Sequence, residues 1–176
     1  ATARTTNAEQ AQLLGFELAN DFTIPTGRAL PDGARLSWYQ STSYVTGESD
    51  VPQLNGSVTV QNISRANRAF GRFGLRLDVA SQWWTATQVR WSGRYDEIAP
   101  TDANDVRHLS FRAKGDDPGA MPGYAVWDWL IGWRSLDRRY HITGAIENVL
   151  DRSYRNVGSG NDASGLNGVL SMGARF

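Results

Sequence analysis

Trp83-Trp84-Thr85-Ala86-Thr87-Gln88-Val89-Arg90-Trp91-Ser92-Gly93-Arg94-Tyr95-Asp96 separates into two sets when every second residue is taken. The odd positions, Trp83, Thr85, Thr87, Val89, Trp91, Gly93 and Tyr95, make an apolar face with aromatics at both ends. The even positions, Trp84, Ala86, Gln88, Arg90, Ser92, Arg94 and Asp96, hold the polar and charged groups. A period of two is that of a β-strand, whereas a helix would scatter both sets around its circumference.

The same alternation recurs on both sides. Phe73, Leu75, Leu77 and Val79 share one face, with Arg72, Arg76 and Asp78 on the other. Trp127, Trp129, Ile131 and Trp133 oppose Asp128 and Arg134. Tyr140, Ile142 and Ile146 oppose His141, Thr143 and Glu147. Leu166, Leu170, Met172, Ala174 and Phe176 oppose Asn167, Ser171 and Arg175. Leu14, Phe16, Leu18, Phe22 and Ile24 oppose Glu17 and Asp21; the stretch Arg35 to Thr46 alternates too, but Gln40 and Thr42 blur its faces. The pattern predicts seven antiparallel strands near residues 8–24, 34–46, 66–80, 83–96, 123–136, 139–150 and 166–176. Their lengths, about 11 to 17 residues, exceed the ~5 to 6 of a soluble strand and suit a tilted strand crossing a bilayer.

Connections alternate in length. Short ones fall at Thr26–Gly33, Ala80–Gln82 and Ser135–Arg138, and long ones at Gly47–Arg65, Glu97–Pro122 and Asp151–Gly165. Short turns at one end and long loops at the other is the outer-membrane barrel pattern, with the short turns periplasmic. Ser57–Ile63 and Arg107–Ala113 alternate weakly and read as strand extensions or hairpins within loops. Seven is odd, and a single bacterial chain closes a barrel with an even number. Either one more strand exists or the chain is part of a larger barrel.

Composition agrees with an all-β protein. The chain has 176 residues and a mass of 19.4 kDa, the size of one domain. It carries 18 Gly, 7 Trp and 6 Tyr, with a mean hydropathy of −0.45 and no run long enough for a membrane helix. Eighteen basic and 18 acidic residues balance, which argues against a nucleic-acid binder or an acidic disordered tail. Seventeen of the cations are Arg, against Lys114 alone, which hints at fixed hydrogen-bonded pairs. With no Cys there is no disulfide framework or thiol nucleophile, and two His leave little room for a zinc enzyme. The N-terminal residues do not have the pattern of a secretory leader.

Trp38, Trp83, Trp91, Tyr95, Trp127, Trp129, Trp133 and Tyr140 recur at strand ends on the apolar face and read as girdles at the lipid interface. The alternative is a sugar-stacking platform. Arg72, Arg76, Arg90, Arg94, Arg134 and Arg175, with Glu17, Asp21, Asp78, Asp96, Asp128 and Glu147, read as a lumenal charge network rather than an ion pathway or ligand clamp. His108 lies in the long Glu97–Pro122 loop, where a lone His is more often solvated than an axial haem ligand. His141 reads as lumenal structure. Asp102, Asn104 and Asp105, and Asn161 with Asp162, lack the EF-hand spacing and read as turns. Gly158-Ser159-Gly160 lacks the third glycine of a dinucleotide fingerprint. Nothing forms a catalytic constellation, and no metal or cofactor is expected.

Pro122-Gly123-Tyr124, Glu147-Asn148-Val149-Leu150-Asp151-Arg152-Ser153-Tyr154, and Gly158-Ser159-Gly160 leading through Ser164-Gly165 to a terminal Phe176, resemble in order and spacing the C-terminal end of a TonB-dependent outer-membrane receptor. The second piece is similar to that family's Glu-Asn-Leu-Phe-Asp-x-x-Tyr segment, with Val149-Leu150 in place of Leu-Phe. The Pro and Arg usual beside Gly165 are absent. Gly15-Phe16-Glu17 and Ser43-Tyr44-Val45-Thr46-Gly47 resemble earlier strand segments of the family.

The resemblance implies that residues 1–176 are the C-terminal portion of a receptor β-barrel of 22 strands. The plug and the segment that engages TonB lie outside this sequence. It further implies a fragment, a proteolytic remnant or one chain of a split barrel, residing in a bacterial outer membrane. The implied activity is import of a ferric chelate, haem or another scarce nutrient, energised through TonB. Implied partners are outer-membrane lipid, the rest of the barrel with its plug, TonB and the barrel assembly machinery. Arg107, His108, Arg112 and Asp116 are the implied ligand contacts in the loops, and Phe176 resembles the terminal assembly signal. Two rivals remain: a self-contained eight-stranded barrel with a structural or adhesion role, drawing its extra strand from Ser57–Ile63, and a soluble Trp-rich carbohydrate-binding sandwich.

Overall fold

A computed structural model describes residues 10–53, 55–64, 66, 68–109 and 120–176, with backbone only at 107 and 108. It is all-β, with eight antiparallel strands in one sheet. These are β1 (Gln10–Thr23), β2 (Arg35–Pro52), β3 (Val58–Asn62), β4 (Ala69–Val79), β5 (Trp83–Ser92), β6 (Tyr124–Arg134), β7 (Tyr140–Glu147) and β8 (Asn167–Ala174). The path runs β1-β2-β4-β5-β6-β7-β8, and β3 branches from β2. The sheet is not closed: among the described residues β1 and β8 each pair on one side only.

The eighth strand does not fall where a self-contained barrel needs it. β2 is 18 residues long, and its lower part, Arg35–Tyr44, pairs β4. Its upper part, Glu48–Pro52, pairs β3 instead. An Asn55-Gly56 turn closes this upper hairpin: Ser57 N–H donates to Asn55 Oδ1 at 3.0 Å, and Gly56 takes φ +82°. The weakly alternating Ser57–Ile63 is therefore a hairpin above the wall. At Arg107–Ala113 the described part is the short helix Val106–Leu109, not a strand, and residues 110–113 lie outside the described residues.

Register puts the two residue sets on opposite faces of the whole sheet. One cross-strand row reads Phe22, Trp38, Leu75, Thr87, Trp129, Ile146 and Gly168. The row one residue over reads Asp21, Tyr39, Gly74, Gln88 and Asp128. The ambiguity at Gln40 resolves by pairing: it lies between Asn20 and Phe73, on the apolar face. That face is uncovered in this chain, with Phe16 59%, Trp129 51% and Leu170 65% exposed, whereas Asp128 on the other face is 1% exposed. An open apolar face with a buried carboxylate behind it inverts the usual arrangement of a water-soluble domain.

Strand ends depart from the alternation for local reasons. β5 stops at Ser92, four residues before Asp96, and the chain then bridges Tyr95 to Met121. Tyr95 is 1% exposed and donates its hydroxyl to Asp102 Oδ2 at 2.5 Å, so it is not a girdle residue. This corrects the reading of Tyr95 as a membrane-interface aromatic: alternation continued on paper past the point where the backbone leaves the ladder. β7 ends at Glu147 because Asn148 adopts φ +52°.

Candidate functional site

The polar face concentrates its chemistry in the upper part of β4, β5 and β6, beneath the long connections. Asp128 is the organising residue. Arg90 grips it with Nε at 2.5 Å and Nη2 at 3.0 Å, a two-point pairing that fixes both groups. Gln88 donates to the same carboxylate at 3.1 Å and accepts the Tyr39 hydroxyl at 3.2 Å. The backbone N–H of Asn148 adds a further donor at 3.0 Å. These donors satisfy a charge held away from water.

Arg72 faces Arg90 directly across the strand pair. Like charges in that position repel. Arg90 has its carboxylate; Arg72 has no ion pair among the described residues, and its side chain is exposed. Ser41, Phe70, Arg72, Arg90, Tyr124 and Asn156 line a concavity of about 420 Å³. Tyr124 packs on Tyr154 with ring centres 4.4 Å apart and donates its hydroxyl to Asn156 Oδ1 at 2.6 Å. The arrangement presents one uncommitted guanidinium between aromatic walls, suited to an anionic group attached to an apolar body.

The segment after β7 is a lock. Asn148 is 1% exposed; its amide donates to the carbonyls of Arg152 at 2.8 Å and Ser164 at 3.2 Å, and its Oδ1 accepts Arg152 N–H at 2.9 Å. Asp151, at φ +50°, accepts Leu166 N–H at 2.8 Å. The Asn and Asp of the Glu147–Tyr154 stretch thus tie the β7–β8 connection together. Its later part is closed by Arg155 on Asp162 at 2.6 Å.

Of the residues expected to touch ligand, Arg107 and His108 belong to the short helix Val106–Leu109, and Arg112 and Asp116 lie outside the described residues. Asp102, read as a turn residue, ties loops together by accepting hydroxyls from Ser64 at 2.6 Å and from Tyr95. Among the described residues no three His, Cys, Asp or Glu side chains gather as a metal site. Tyr124 and Asn156 were not legible as site residues; the inward parity of Arg72 and Arg90 was the available signal.

On the opposite face, Trp83 and Trp133 pair at the short-turn end with ring centres 6.3 Å apart. Trp91 marks the other end of β5, and Tyr140 starts β7. Trp83 to Trp91 spans about 27 Å along the strand. Trp129 donates its indole N–H to Thr85 Oγ1 at 2.8 Å, and Trp127 donates to Thr87. Both rings therefore meet their polar need within the sheet. Phe176 follows β8 and is fully exposed.

No family model, curated protein or solved structure matches the chain.

Proposed function

We propose that this chain is a wall segment of a TonB-dependent outer-membrane receptor, contributing to energy-coupled uptake of a ferric chelate, haem or similar scarce nutrient. The observation that carries the membrane part is the exposed, mainly apolar face that continues across the seven strands of the main path, with both sheet edges open among the described residues. A sheet edge in hydrocarbon leaves backbone groups unsatisfied at several kcal/mol each, so further strands must complete the wall. The TonB-dependent part rests on the likeness of the Glu147–Tyr154 segment and its flanks. The plug and TonB would come from chain outside this sequence, and the assembly machinery would engage the Phe176 end.

The concavity around Arg72 is a proposed ligand contact, alongside the loop candidates Arg107, His108, Arg112 and Asp116. A soluble carbohydrate-binding sandwich is not favoured, since no second sheet covers the apolar face among the described residues. The test is to express the complete polypeptide in a Gram-negative host. Recovery in urea-washed outer membranes, with a heat-dependent mobility shift and nutrient uptake that stops when TonB is deleted, supports the proposal. A monodisperse protein soluble without detergent overturns it.

A further inference from the structure

Two asparagines of this chain are followed by glycine, in Asn55-Gly56 and Asn167-Gly168. Glycine has no β-carbon, so it leaves its own backbone nitrogen open to the side chain before it. The fold treats the two pairs differently.

Asn167-Gly168 opens β8, where Asn167 pairs Glu147 and Gly168 pairs Ile146. The Asn167 side-chain amide donates to Glu147 Oε2 at 3.3 Å. The ladder holds this peptide extended, and an extended asparagine keeps its Cγ turned away from the next backbone nitrogen.

Asn55-Gly56 lies at the exposed tip of the upper hairpin, between β2 and β3. Ser57 donates twice to Asn55 Oδ1, from its N–H at 3.0 Å and from its hydroxyl at 2.7 Å. Two donors on one amide oxygen draw electrons from Cγ, and they stand where negative charge develops when Cγ is attacked. One bond opposes the attack: Gly56 N–H donates to the Gln53 carbonyl at 3.0 Å. In an exposed turn that bond opens to water at small cost.

We propose that Asn55 is a site of spontaneous covalent modification, converting to aspartate and isoaspartate through a cyclic imide, while Asn167 is protected. The Gly56 nitrogen gives its proton to hydroxide and attacks Asn55 Cγ. The new C–N bond closes a five-membered ring, and Nδ2 leaves as ammonia with a proton from water. Water then opens either carbonyl of the ring, and no atom changes oxidation state. Opening at Cγ restores the main chain as aspartate, whose carboxylate keeps an acceptor for Ser57. Opening at the main-chain carbonyl gives isoaspartate, which routes the backbone through Cβ and loosens the closing pair of Pro52 with Val58. Either product adds negative charge to a hairpin that already carries Glu48 and Asp50.

The test keeps the complete folded polypeptide in mildly alkaline buffer and samples it over weeks by digestion and mass spectrometry. Enzymatic methylation of isoaspartate gives a second readout. Asn55 should convert at least ~10-fold faster than Asn167 in the folded protein, a difference of barrier that the fold supplies. In urea the two positions should convert at similar rates. Ser57→Ala should slow Asn55 by about two- to tenfold in the folded protein, the value of one hydrogen bond, and leave the rate in urea unchanged. An Asn55 that stays intact, an Asn167 that converts as fast in the folded protein, a difference that persists in urea, or a Ser57→Ala variant without effect overturns the inference.

Discussion

The indole of Trp84 lies across Gly132, its direct partner on the neighbouring strand, so closely that a β-carbon at Gly132 would collide with the ring. The same relation holds at Tyr39 over Gly74 and at His141 over Gly173, each a directly paired couple on the polar face. Arg76 then stacks on the Trp84 ring at 4.2 Å. Glycine beneath a ring lets the polar face draw inward while its backbone stays covered, which is how curvature is built into a sheet. Gly132→Ala should destabilise the folded protein by about 1 to 3 kcal/mol, since the indole must move. The midpoint of urea unfolding in detergent checks this, and an unchanged midpoint refutes it.

Asp128→Ala should cost about 3 kcal/mol, the low end for a broken buried pair, because Arg90 retains access to solvent. Asp128→Asn should cost less, since it keeps one acceptor for Arg90. A loss in Asp128→Asn equal to that in Asp128→Ala would show that shape, not hydrogen bonding, is what the site requires.

Two requirements meet at Asn148, a left-handed backbone and three side-chain hydrogen bonds. Asn148→Ala loses both and should destabilise the β7–β8 connection by about 2 to 4 kcal/mol. Asn148→Gly restores the backbone freedom alone and should recover roughly 1 kcal/mol of that. Protease sensitivity of the 151–165 connection provides the readout. Equal sensitivity of the two variants would deny the backbone a part.

At the β6–β7 turn, the Ser135 hydroxyl and then the Arg139 N–H hold the Asp137 carboxyl below the usual aspartate range. A depressed folded value means that the unfolded turn binds more protons. The contribution to stability is therefore complete above the unfolded value, near ~3.9, and is lost as pH falls through the lower folded value. Carboxyl-carbon NMR should give Asp137 a lower titration midpoint than a free peptide of residues 135–139, and Ser135→Ala should raise it. A midpoint at or above the peptide's contradicts the assignment.

Much of the sheet was legible because a β-strand has one short period and the apolar and polar faces follow it closely. Trp127, Asp128 and Trp129 fall on alternate faces as their spacing predicts. Alternation fails where the chain turns sideways. Tyr95 keeps the parity of Trp91 but has left the ladder and is buried under Asp102. Alternation is equally silent about partners. Ser57–Ile63 reads from its alternation as a strand extension or a hairpin within a loop, and only pairing reveals that β2 accepts it above the point where β4 ends. The site around Arg72 was half visible: parity turned Arg72 and Arg90 inward, but only register placed them face to face. Asn156 reaches Tyr124 from 32 residues away, a contact that no local pattern encodes.

The handover on β2, from β4 in its lower part to β3 in its upper part, has a mechanical consequence. The upper hairpin hangs on a strand that is continuous with the wall, while its other leg has no covalent continuation into the lower ladder except through residues 63–68. A pull on the hairpin tip is borne in shear along the whole of β2, against β1 on one side and β4 on the other. Lengthening or shortening the tip at Asn55-Gly56 changes the lever arm but leaves the alignment of every lower strand untouched. The reach of this hairpin can thus drift in length over evolutionary time while the main sheet stays in step.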